Sequence, residues 1–350
     1  MKAVVYRGKG ELRVEDLPVP DPGPGEMLVR VDACGICPTD LKKIEKGLLP
    51  GPRVFGHEIA GTVARLGSGV SRFREGQRVV VHHHVPCGAC FYCDRGVYAQ
   101  CAFYKKNGTT AGFEPSGGGY AEYVLALDWI VERGTIPVPD GVLAEEAAFV
   151  EPVNTCLKAV RKGGIVRGES VLVVGQGPIG LLLMQIARAK GGEVIASDAL
   201  HERRELARAL GASVVLDAAE DVPAQAVALT AGRGVDCVLL AAPGQPAFDQ
   251  AVAATRPGGR IVSFAATSPG ETVAVDLGRL TSLEKDLLTA YSSSIDMQQE
   301  AAELVFGRVV RVAPLVSHRL PVARGLEAFA LASGRAPGTL KVVLGGGAAA

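Results

Sequence analysis

The stretch that most limits the fold is ESVLVVGQGPIGLLLMQIARAKGGEVIASD, residues 169–198. It reads as a short apolar strand, a glycine-rich turn, a long apolar helix and a second strand. The segments ERRELARALGA, SVVLD, GVDCVLLAA and GGRIVSFAA continue the alternation of helix and strand. Such alternation predicts an α/β fold with a doubly wound parallel sheet.

The turn carries G-x-G-x-x-G between a strand and a helix, the context in which this pattern binds a dinucleotide. Asp198 ends the next strand, 18 residues after Gly180. A carboxylate there accepts hydrogen bonds from the ribose hydroxyls and repels a 2′-phosphate, so we expect NAD rather than NADP. Arg203 and Arg204 follow and could hold a phosphate, although their helix favours solvated side chains. The candidate cofactor-binding residues are Gly175, Gly177, Pro178, Ile179, Gly180, Asp198 and Arg203.

A second feature is CGACFYCDRGVYAQC, which holds half of the chain's eight cysteines: Cys87, Cys90, Cys93 and Cys101. The charged N-terminus lacks the apolar segment of a secretory signal, so a cytoplasmic location is expected, where disulfides are rare. A redox pair would leave two cysteines unused. Four closely spaced thiolates fit a structural zinc ion, with an iron–sulfur centre or free thiols as alternatives. We expect a zinc lobe over about residues 84–104.

Composition gives no sign of a nucleic-acid or membrane partner. Lysine plus arginine and aspartate plus glutamate number 37 each, which gives no electrostatic reason to expect nucleic acid or an anionic membrane. No apolar run reaches the ~18 residues of a membrane span. A globular chain of 350 residues, 48% hydrophobic, has room for two domains.

The domain boundaries follow from a change near residue 155 in the kind of secondary structure that the sequence predicts. Residues 1–154 read as short strands broken by glycine and proline, which predicts a mostly-β domain. Residues 155–295 carry the alternating strands and helices. The tail, residues 296–350, contains the helix MQQEAAELVFG and the strand LKVVL, and we expect it to return to the first domain.

Other candidate ligands lie in the first domain. DACGICPTD contains Cys37, VFGHEIAG contains His57 and Glu58, and FVEPVNTC contains Glu151 in an apolar stretch. Singly, each is compatible with a buried, paired structural residue. Residues 82–84 are three histidines, but neighbours on a strand face opposite sides, so we do not expect them to converge on one ion.

Together, GICPTD, GHEIAG, the four-cysteine segment and GQGPIG resemble, in their order and intervals, the zinc-dependent medium-chain alcohol dehydrogenases. The resemblance covers essentially the whole chain. Glu151, where simple alcohol dehydrogenases carry a cysteine, is similar to the sorbitol and threonine dehydrogenase branch. The resemblance implies a GroES-like catalytic domain, a Rossmann domain and two zinc ions per chain.

The resemblance also implies roles for single residues. Cys37 and His57 would hold a catalytic zinc, with Glu151 or Glu58 as its carboxylate, directly or through water. We favour Glu151, because its apolar context should turn it inward. Thr39 would bond the substrate oxygen and begin a proton relay. Many relatives continue that relay with a histidine where this chain has Lys42, and a protonated lysine is a poor base.

The expected activity is oxidation of a secondary hydroxyl of a polyol, sugar or small alcohol, with hydride transfer to NAD, by a homo-oligomer (tetramer or dimer). The alternatives are L-threonine 3-dehydrogenase and a zinc-free NAD(P)-dependent reductase of the same superfamily. Glu114, in KKNGTTAGFEPSGGG, is expected beside the substrate.

Overall fold

The computed structural model describes residues 1–82, 84–106, 108–113, 117–264, 272–334, 336 and 338–345. It divides into two units. Unit 1 comprises Met1–Asn154, Ser293–Arg308 and the chain from Val312 onward, and unit 2 comprises Thr155–Ser292 with Val309–Arg311. Glu114 lies outside the described residues. In the described part of the chain no helix is long and apolar enough to cross a bilayer.

The strands, in chain order, are β1 (Lys2–Gly8), β2 (Glu11–Asp16), β3 (Met27–Gly35), β4 (Arg53–Val54), β5 (Glu58–Leu66), β6 (Arg78–Val81), β7 (Tyr123–Ala126), β8 (Thr135–Pro137), β9 (Ser170–Val174), β10 (Glu193–Asp198), β11 (Val214–Asp217), β12 (Val235–Leu240), β13 (Thr255–Ser263), β14 (Asp286–Thr289), β15 (Val316–Leu320) and β16 (Lys341–Leu344).

The α-helices are α1 (Pro38–Lys46), α2 (Ala102–Lys106), α3 (Ala144–Ala147), α4 (Val150–Lys162), α5 (Pro178–Ala189), α6 (His201–Ala209), α7 (Val222–Leu229), α8 (Gln245–Ala254), α9 (Leu277–Ser282), α10 (Gln298–Phe306) and α11 (Gly325–Ser333).

Unit 1 is built mainly from antiparallel strands, as the short, glycine-punctuated segments predict. One sheet has the order β2-β1-β4, and the larger one has the order β15-β16-β3-β5-β6-β8 with β7 also paired to β3. Their apolar faces share a core that includes Tyr6, Ile59, Tyr120 and Phe329. The helix α1 begins with Pro38 at its first position and ends at Lys46, and the φ of 67° at the following Gly47 suits a left-handed cap.

Unit 2 is a parallel sheet with the order β11-β10-β9-β12-β13-β14. Counted from β9, this is the 3-2-1-4-5-6 order of the doubly wound fold, so the predicted fold class is confirmed. The sheet buries Leu172, Val238 and Ile261 among the apolar residues of its helices. The strand order reverses beside β9, and ligands of such sheets bind at the carboxyl ends of the strands at that point.

The four-cysteine segment forms a small lobe with its own core. Cys93, Ala99, Cys101 and Tyr104 are buried together, with Cys87 and Cys90 packed against them. The lobe contains few regular elements, so apolar packing alone gives it little support.

Candidate active site

Three predicted side chains come together where β5 begins in unit 1. Cys37 occupies the N-cap position of α1, and its carbonyl accepts the amide N–H of Leu41 at 3.2 Å. His57 directly precedes β5 and Glu58 is its first residue. The potential ligand atoms of Cys37, His57 and Glu58 all lie within 4.8 Å of one another. A cysteine sulfur, an imidazole nitrogen and a carboxylate oxygen are therefore close enough together to bind one ion.

The orientation of His57 is fixed by Asp40, a residue that the sequence reasoning missed. Asp40 lies three residues after Cys37 and is fully buried on α1. Its Oδ2 lies 3.1 Å from His57 Nδ1, so Nε2 is the nitrogen that would coordinate a metal. Burial acts to raise the pKa of Asp40, but His57, Lys43 and Tyr120 together hold it well below its usual range. The Cys-x-x-Asp spacing on a helix is the signal that could have found Asp40.

The Glu58 carboxylate has a second buried partner, Lys341. Lys341 Nζ donates to Glu58 Oε1 at 2.6 Å, and both side chains are almost completely buried. Burial raises the pKa of Glu58, and the Lys341 ammonium opposes that shift. Gly35 lies opposite Glu58 on β3, where a Cβ would collide with this carboxylate. The small residue at 35 thus makes room for the buried ion pair.

Glu151 is buried near the start of α4, but it is not part of the three-residue cluster among the described residues. Its Oε1 lies 3.6 Å from His84 Nδ1, and the His84 ring centroid lies 5.8 Å from that of His57. Glu151 therefore lies close to the cluster, whereas Glu58 is the carboxylate within it. The geometry favours Glu58 as the ligand, opposite to the order of preference that the sequence suggests.

His82 and His84 lie closer to the site than the sequence reasoning expects. Ser293 Oγ lies 3.2 Å from His82 Nε2 and 3.3 Å from His84 Nδ1. The His84 ring also stacks on Tyr104, with centroids 4.7 Å apart. Residues two apart on an extended chain face the same side, so strand alternation does not separate His82 from His84. Burial lowers the pKa of His82 to about 4, so it is neutral at neutral pH.

Thr39 and Lys42, the residues of the expected proton relay, both lie on α1. Thr39 is exposed in the first turn, two residues after Cys37. Lys42 is half-buried one turn later.

The donor set at the start of β5 fits zinc. Zinc takes sulfur at about 2.3 Å and nitrogen or oxygen at about 2.0–2.2 Å, which places tetrahedral ligands about 3–4 Å apart. The 4.8 Å limit on the Cys37, His57 and Glu58 atoms needs only a small contraction to reach that geometry. Three protein ligands leave a fourth position for a substrate oxygen, as in catalytic zinc sites.

The lobe fits a closed zinc site. Its neighbouring Sγ atoms are 3.5 Å apart for Cys90–Cys93, 3.6 Å for Cys87–Cys101 and 3.9 Å for Cys87–Cys93. Four sulfurs at about 2.3 Å from one ion are about 3.8 Å apart, whereas a disulfide needs about 2.05 Å. Burial acts to raise the pKa of Cys101, but the amides of Cys87, Tyr104 and Phe103 lower it to about 6, which favours a thiolate.

The glycines of the βα turn in unit 2 have three different tasks. Gly175 has a φ of 89°, and a Cβ there would approach Ala242 to 3.0 Å. A Cβ at Gly180 would overlap the carbonyl oxygen of Gly175, so glycine is required for the close packing of α5 on β9. At Gly177, the N-cap of α5, the nearest atom to a Cβ is Arg203 Nη1 at 3.9 Å. That space beside a helix N-terminus suits a pyrophosphate.

Asp198 and Arg203 lie together beside this turn. Asp198 accepts the N–H of Gln176 at 2.6 Å and the N–H of Leu200 at 2.8 Å. Arg203 Nη1 lies 3.9 Å from Asp198 Oδ2. Its side chain therefore lies next to the proposed cofactor site and does not simply extend into solvent, as its place on a helix suggests. Arg204 instead pairs with Asp217 at 2.7 Å. The side chain of Arg203 extends back towards the N-terminus of α6, as helical side chains do.

Comparison with known proteins tests this arrangement. Residues 23–140 match the model of the alcohol dehydrogenase GroES-like domain, and residues 178–307 match that of the zinc-binding dehydrogenases. Sorbitol dehydrogenase of Homo sapiens is 31% identical over 343 residues, 93% of this chain and 91% of its own. The chain is a zinc-dependent medium-chain dehydrogenase of the sorbitol and threonine branch. L-threonine 3-dehydrogenase of Pyrococcus abyssi (strain GE5 / Orsay) is 36% identical to this dehydrogenase over 272 residues, 76% of this chain and 75% of its own.

A solved structure is similar to the dehydrogenase over nearly its whole length. It is a protein of Sinorhizobium meliloti 1021, provisionally described as a zinc-binding dehydrogenase and bound to NADP, with a TM-score of 0.88, 31% identity and 99% coverage of both chains. The GroES-like and Rossmann assignments are thus confirmed. The dehydrogenase is an NAD-dependent oxidoreductase of the alcohol and polyol type that uses zinc, and its substrate is a small-molecule alcohol.

Proposed function

We propose that this dehydrogenase oxidises a secondary hydroxyl of a polyol, sugar or similar small alcohol and passes the hydride to NAD. The observation that carries the proposal is the cluster of Cys37, His57 and Glu58 within 4.8 Å. A zinc ion bound there supplies a Lewis acid that lowers the pKa of a substrate hydroxyl. A catalytic ion needs such an open three-ligand set, which the closed cysteine lobe does not offer.

The residues around the cluster have separate tasks in this proposal. Asp40 holds His57 Nδ1, which fixes the imidazole for coordination through Nε2. Lys341 compensates the buried charge of Glu58. Thr39, exposed on α1 two residues from Cys37, bonds the substrate oxygen and accepts its proton. Lys42 is a poor next carrier, so we propose that the proton leaves through a ribose hydroxyl and bulk water.

The cofactor preference of the proposal rests on Asp198. Asp198 is the last residue of β10, and its carboxylate lies beside the glycine turn. Its remaining lone pairs can still accept hydrogen bonds from the ribose hydroxyls. The same charge repels a 2′-phosphate, so NAD is preferred over NADP.

L-threonine oxidation is the second candidate activity. The higher identity to L-threonine 3-dehydrogenase, 36% against 31% to human sorbitol dehydrogenase, favours it, although over a shorter span. Both candidates use a secondary hydroxyl, so they share the proposed zinc chemistry. A zinc-free reductase has no need for the clustered ligands and is disfavoured.

A substrate screen tests the proposal. NADH formation is measured by absorbance with a panel of polyols, aldoses, simple secondary alcohols and L-threonine. We expect the highest kcat/KM with a polyol or another secondary alcohol, and loss of turnover in Cys37→Ser. L-threonine as the best substrate would select the second candidate. Turnover of enones alone, unaffected by Cys37→Ser, would contradict both.

The domain and assembly assignments are part of the proposal. We place the catalytic domain at residues 1–154 and 296–350, with the zinc lobe at about 84–104, and the NAD-binding domain at 155–295. We also propose a homo-oligomer, dimer or tetramer. The support is an exposed apolar groove at the edge of the unit 2 sheet, where β14 ends the strand order and Val275, Leu277 and Leu287 are exposed. Light scattering coupled to size exclusion measures the state.

A further inference from the structure

Tyr120 lies between the elements that carry the candidate zinc ligands, and its position is tightly constrained. Its backbone N–H donates to Phe55 at 3.0 Å, and its carbonyl accepts the N–H of Val4 at 2.8 Å. The ring is buried and meets Phe329 edge-on, with centroids 5.2 Å apart. A Cβ at Gly56 would come within 2.7 Å of the ring. The residue before His57 must therefore be glycine, because the Tyr120 ring occupies that space.

The hydroxyl of Tyr120 reaches both sides of the site. It accepts the backbone N–H of Cys37 at 3.2 Å. It lies 3.0 Å from Asp40 Oδ2 and 3.3 Å from the carbonyl oxygen of Gly35. A phenol has one proton to donate, and a charged carboxylate at the shorter distance is the stronger acceptor. The hydroxyl proton is therefore donated to Asp40, and a lone pair of the hydroxyl oxygen accepts the backbone N–H of Cys37.

Asp40 Oδ2 has two donors of interest, the Tyr120 hydroxyl and His57 Nδ1 at 3.1 Å. Its other oxygen, Oδ1, accepts Lys43 Nζ at 3.3 Å. Without the phenol, Oδ2 would lose a donor that fixes its direction towards the imidazole. One hydroxyl thus connects the backbone of one ligand to the carboxylate that orients another.

We propose that Tyr120 is a positioning residue of the zinc site, which holds the main chain of Cys37 and, through Asp40, the ring of His57. This inference rests on the proposed zinc site at Cys37, His57 and Glu58. Tyr120 does not reach the metal or the substrate in this role. It acts by keeping two ligands preorganised, so its removal should weaken metal binding rather than abolish the fold.

The test is Tyr120→Phe, which keeps the ring and removes only the hydroxyl. Tyr6→Phe is the matched control: Tyr6 is equally buried in the same core, and its hydroxyl donates at 3.0 Å to the carbonyl of Leu49, away from the ligands. Tyr6→Phe loses the hydrogen bond to Leu49, whereas Tyr120→Phe loses the hydrogen bonds to Asp40 and Cys37. Zinc affinity is measured by chelator competition, with the lobe zinc as internal reference, and the site is also followed by visible absorption after cobalt substitution.

Tyr120→Phe should weaken the binding of the catalytic zinc about 10- to 100-fold and shift the cobalt absorption. Tyr6→Phe should change neither the zinc affinity nor the spectrum. In an Asp40→Asn background, Tyr120→Phe should reduce the zinc affinity by a smaller factor than in the parent. Both changes act on the same hydrogen-bonded connection from Tyr120 through Asp40 to His57. Equal metal affinity and an unchanged cobalt spectrum in Tyr120→Phe, or fully additive losses in the double variant, would overturn this inference alone. A parent chain that binds only the lobe zinc would overturn the proposed function and this inference with it.

Discussion

At the scale of single residues, the candidate zinc site depends on which carboxylate lies beside the Cys37 sulfur and the His57 imidazole. Glu58 is in the cluster and is paired with Lys341, whereas Glu151 faces His84 at 3.6 Å. Burial of two acids near one another is unfavourable unless one is compensated, and the Lys341 ammonium compensates Glu58. We therefore propose Glu58 as the metal ligand and Glu151 as a neighbour of the site that does not bind the ion.

The two glutamates should therefore respond differently to neutralisation. Glu58→Gln replaces a carboxylate by a poorer zinc ligand, so the zinc content should fall from about two per chain towards one. Glu151→Gln should keep about two zinc ions but reduce turnover roughly tenfold or more. Elemental analysis and initial rates on the same preparations measure both effects. Zinc lost only from the Glu151 variant would reverse the two roles, and full zinc with full activity in both would remove the carboxylates from the mechanism.

A second residue-scale prediction concerns Asp198. Asp198→Ala should raise KM for NAD and narrow the preference for NAD over NADP. The 2′-phosphate of NADP is no longer repelled by the carboxylate, and Arg203 is close enough to pair with it. The matched control is Asp217→Ala, which removes an acid from the end of the neighbouring strand, in register with Asp198. Steady-state kinetics with both cofactors give the ratio. An unchanged ratio in Asp198→Ala, or an equal change in the control, would refute the assignment.

At the scale of elements, we expect the lobe to depend on its cysteines far more than the sheets depend on any one side chain. Its core is limited to a few buried residues around Cys93, Ala99, Cys101 and Tyr104. The free energy of zinc binding would supply most of its stability, because the unfolded chain rarely offers a preformed site and the binding free energy is gained on folding.

Cys90→Ser should therefore lose the lobe zinc and lower the melting temperature by about 5 °C or more. Cys237→Ser is the control, since it makes the same atomic change at a buried position of β12 in unit 2. Its zinc content should stay at about two per chain, whatever its own effect on stability. Calorimetry and elemental analysis measure these quantities. A Cys90 variant that melts like the parent while losing turnover would contradict a structural role.

Elements with a local signal could be predicted from the sequence. Short-range geometry, within about thirty residues, decides the glycine turn and the strand before it. The same holds for the lobe, whose four cysteines are close in the sequence. The sequence analysis does not predict α1, although Pro38 and Gly47 mark its ends. Strand alternation gives no reason to expect residues 82–84 to converge on one ion. The contact of His84 with Ser293 spans 209 residues, and no local pattern in the sequence records such a pairing.

At the scale of the whole molecule, unit 1 is made from both ends of the chain, with unit 2 inserted between them. The candidate zinc site depends on that arrangement, since Lys341 reaches Glu58 from 283 residues away. LKVVL in the sequence predicts a strand, but the partner of its buried charge could not be predicted without the fold. An isolated charge in an apolar strand signals only that some partner exists.

The central claim is that a catalytic zinc, separate from the lobe zinc, is held by Cys37, His57 and Glu58. The most direct measurement is zinc content and NADH formation for the parent and for Cys37→Ser, purified together. The parent should contain about two zinc ions per chain and the variant about one, with turnover lost and the fold retained by circular dichroism. About two zinc ions in the variant, or undiminished turnover with one, would contradict the claim.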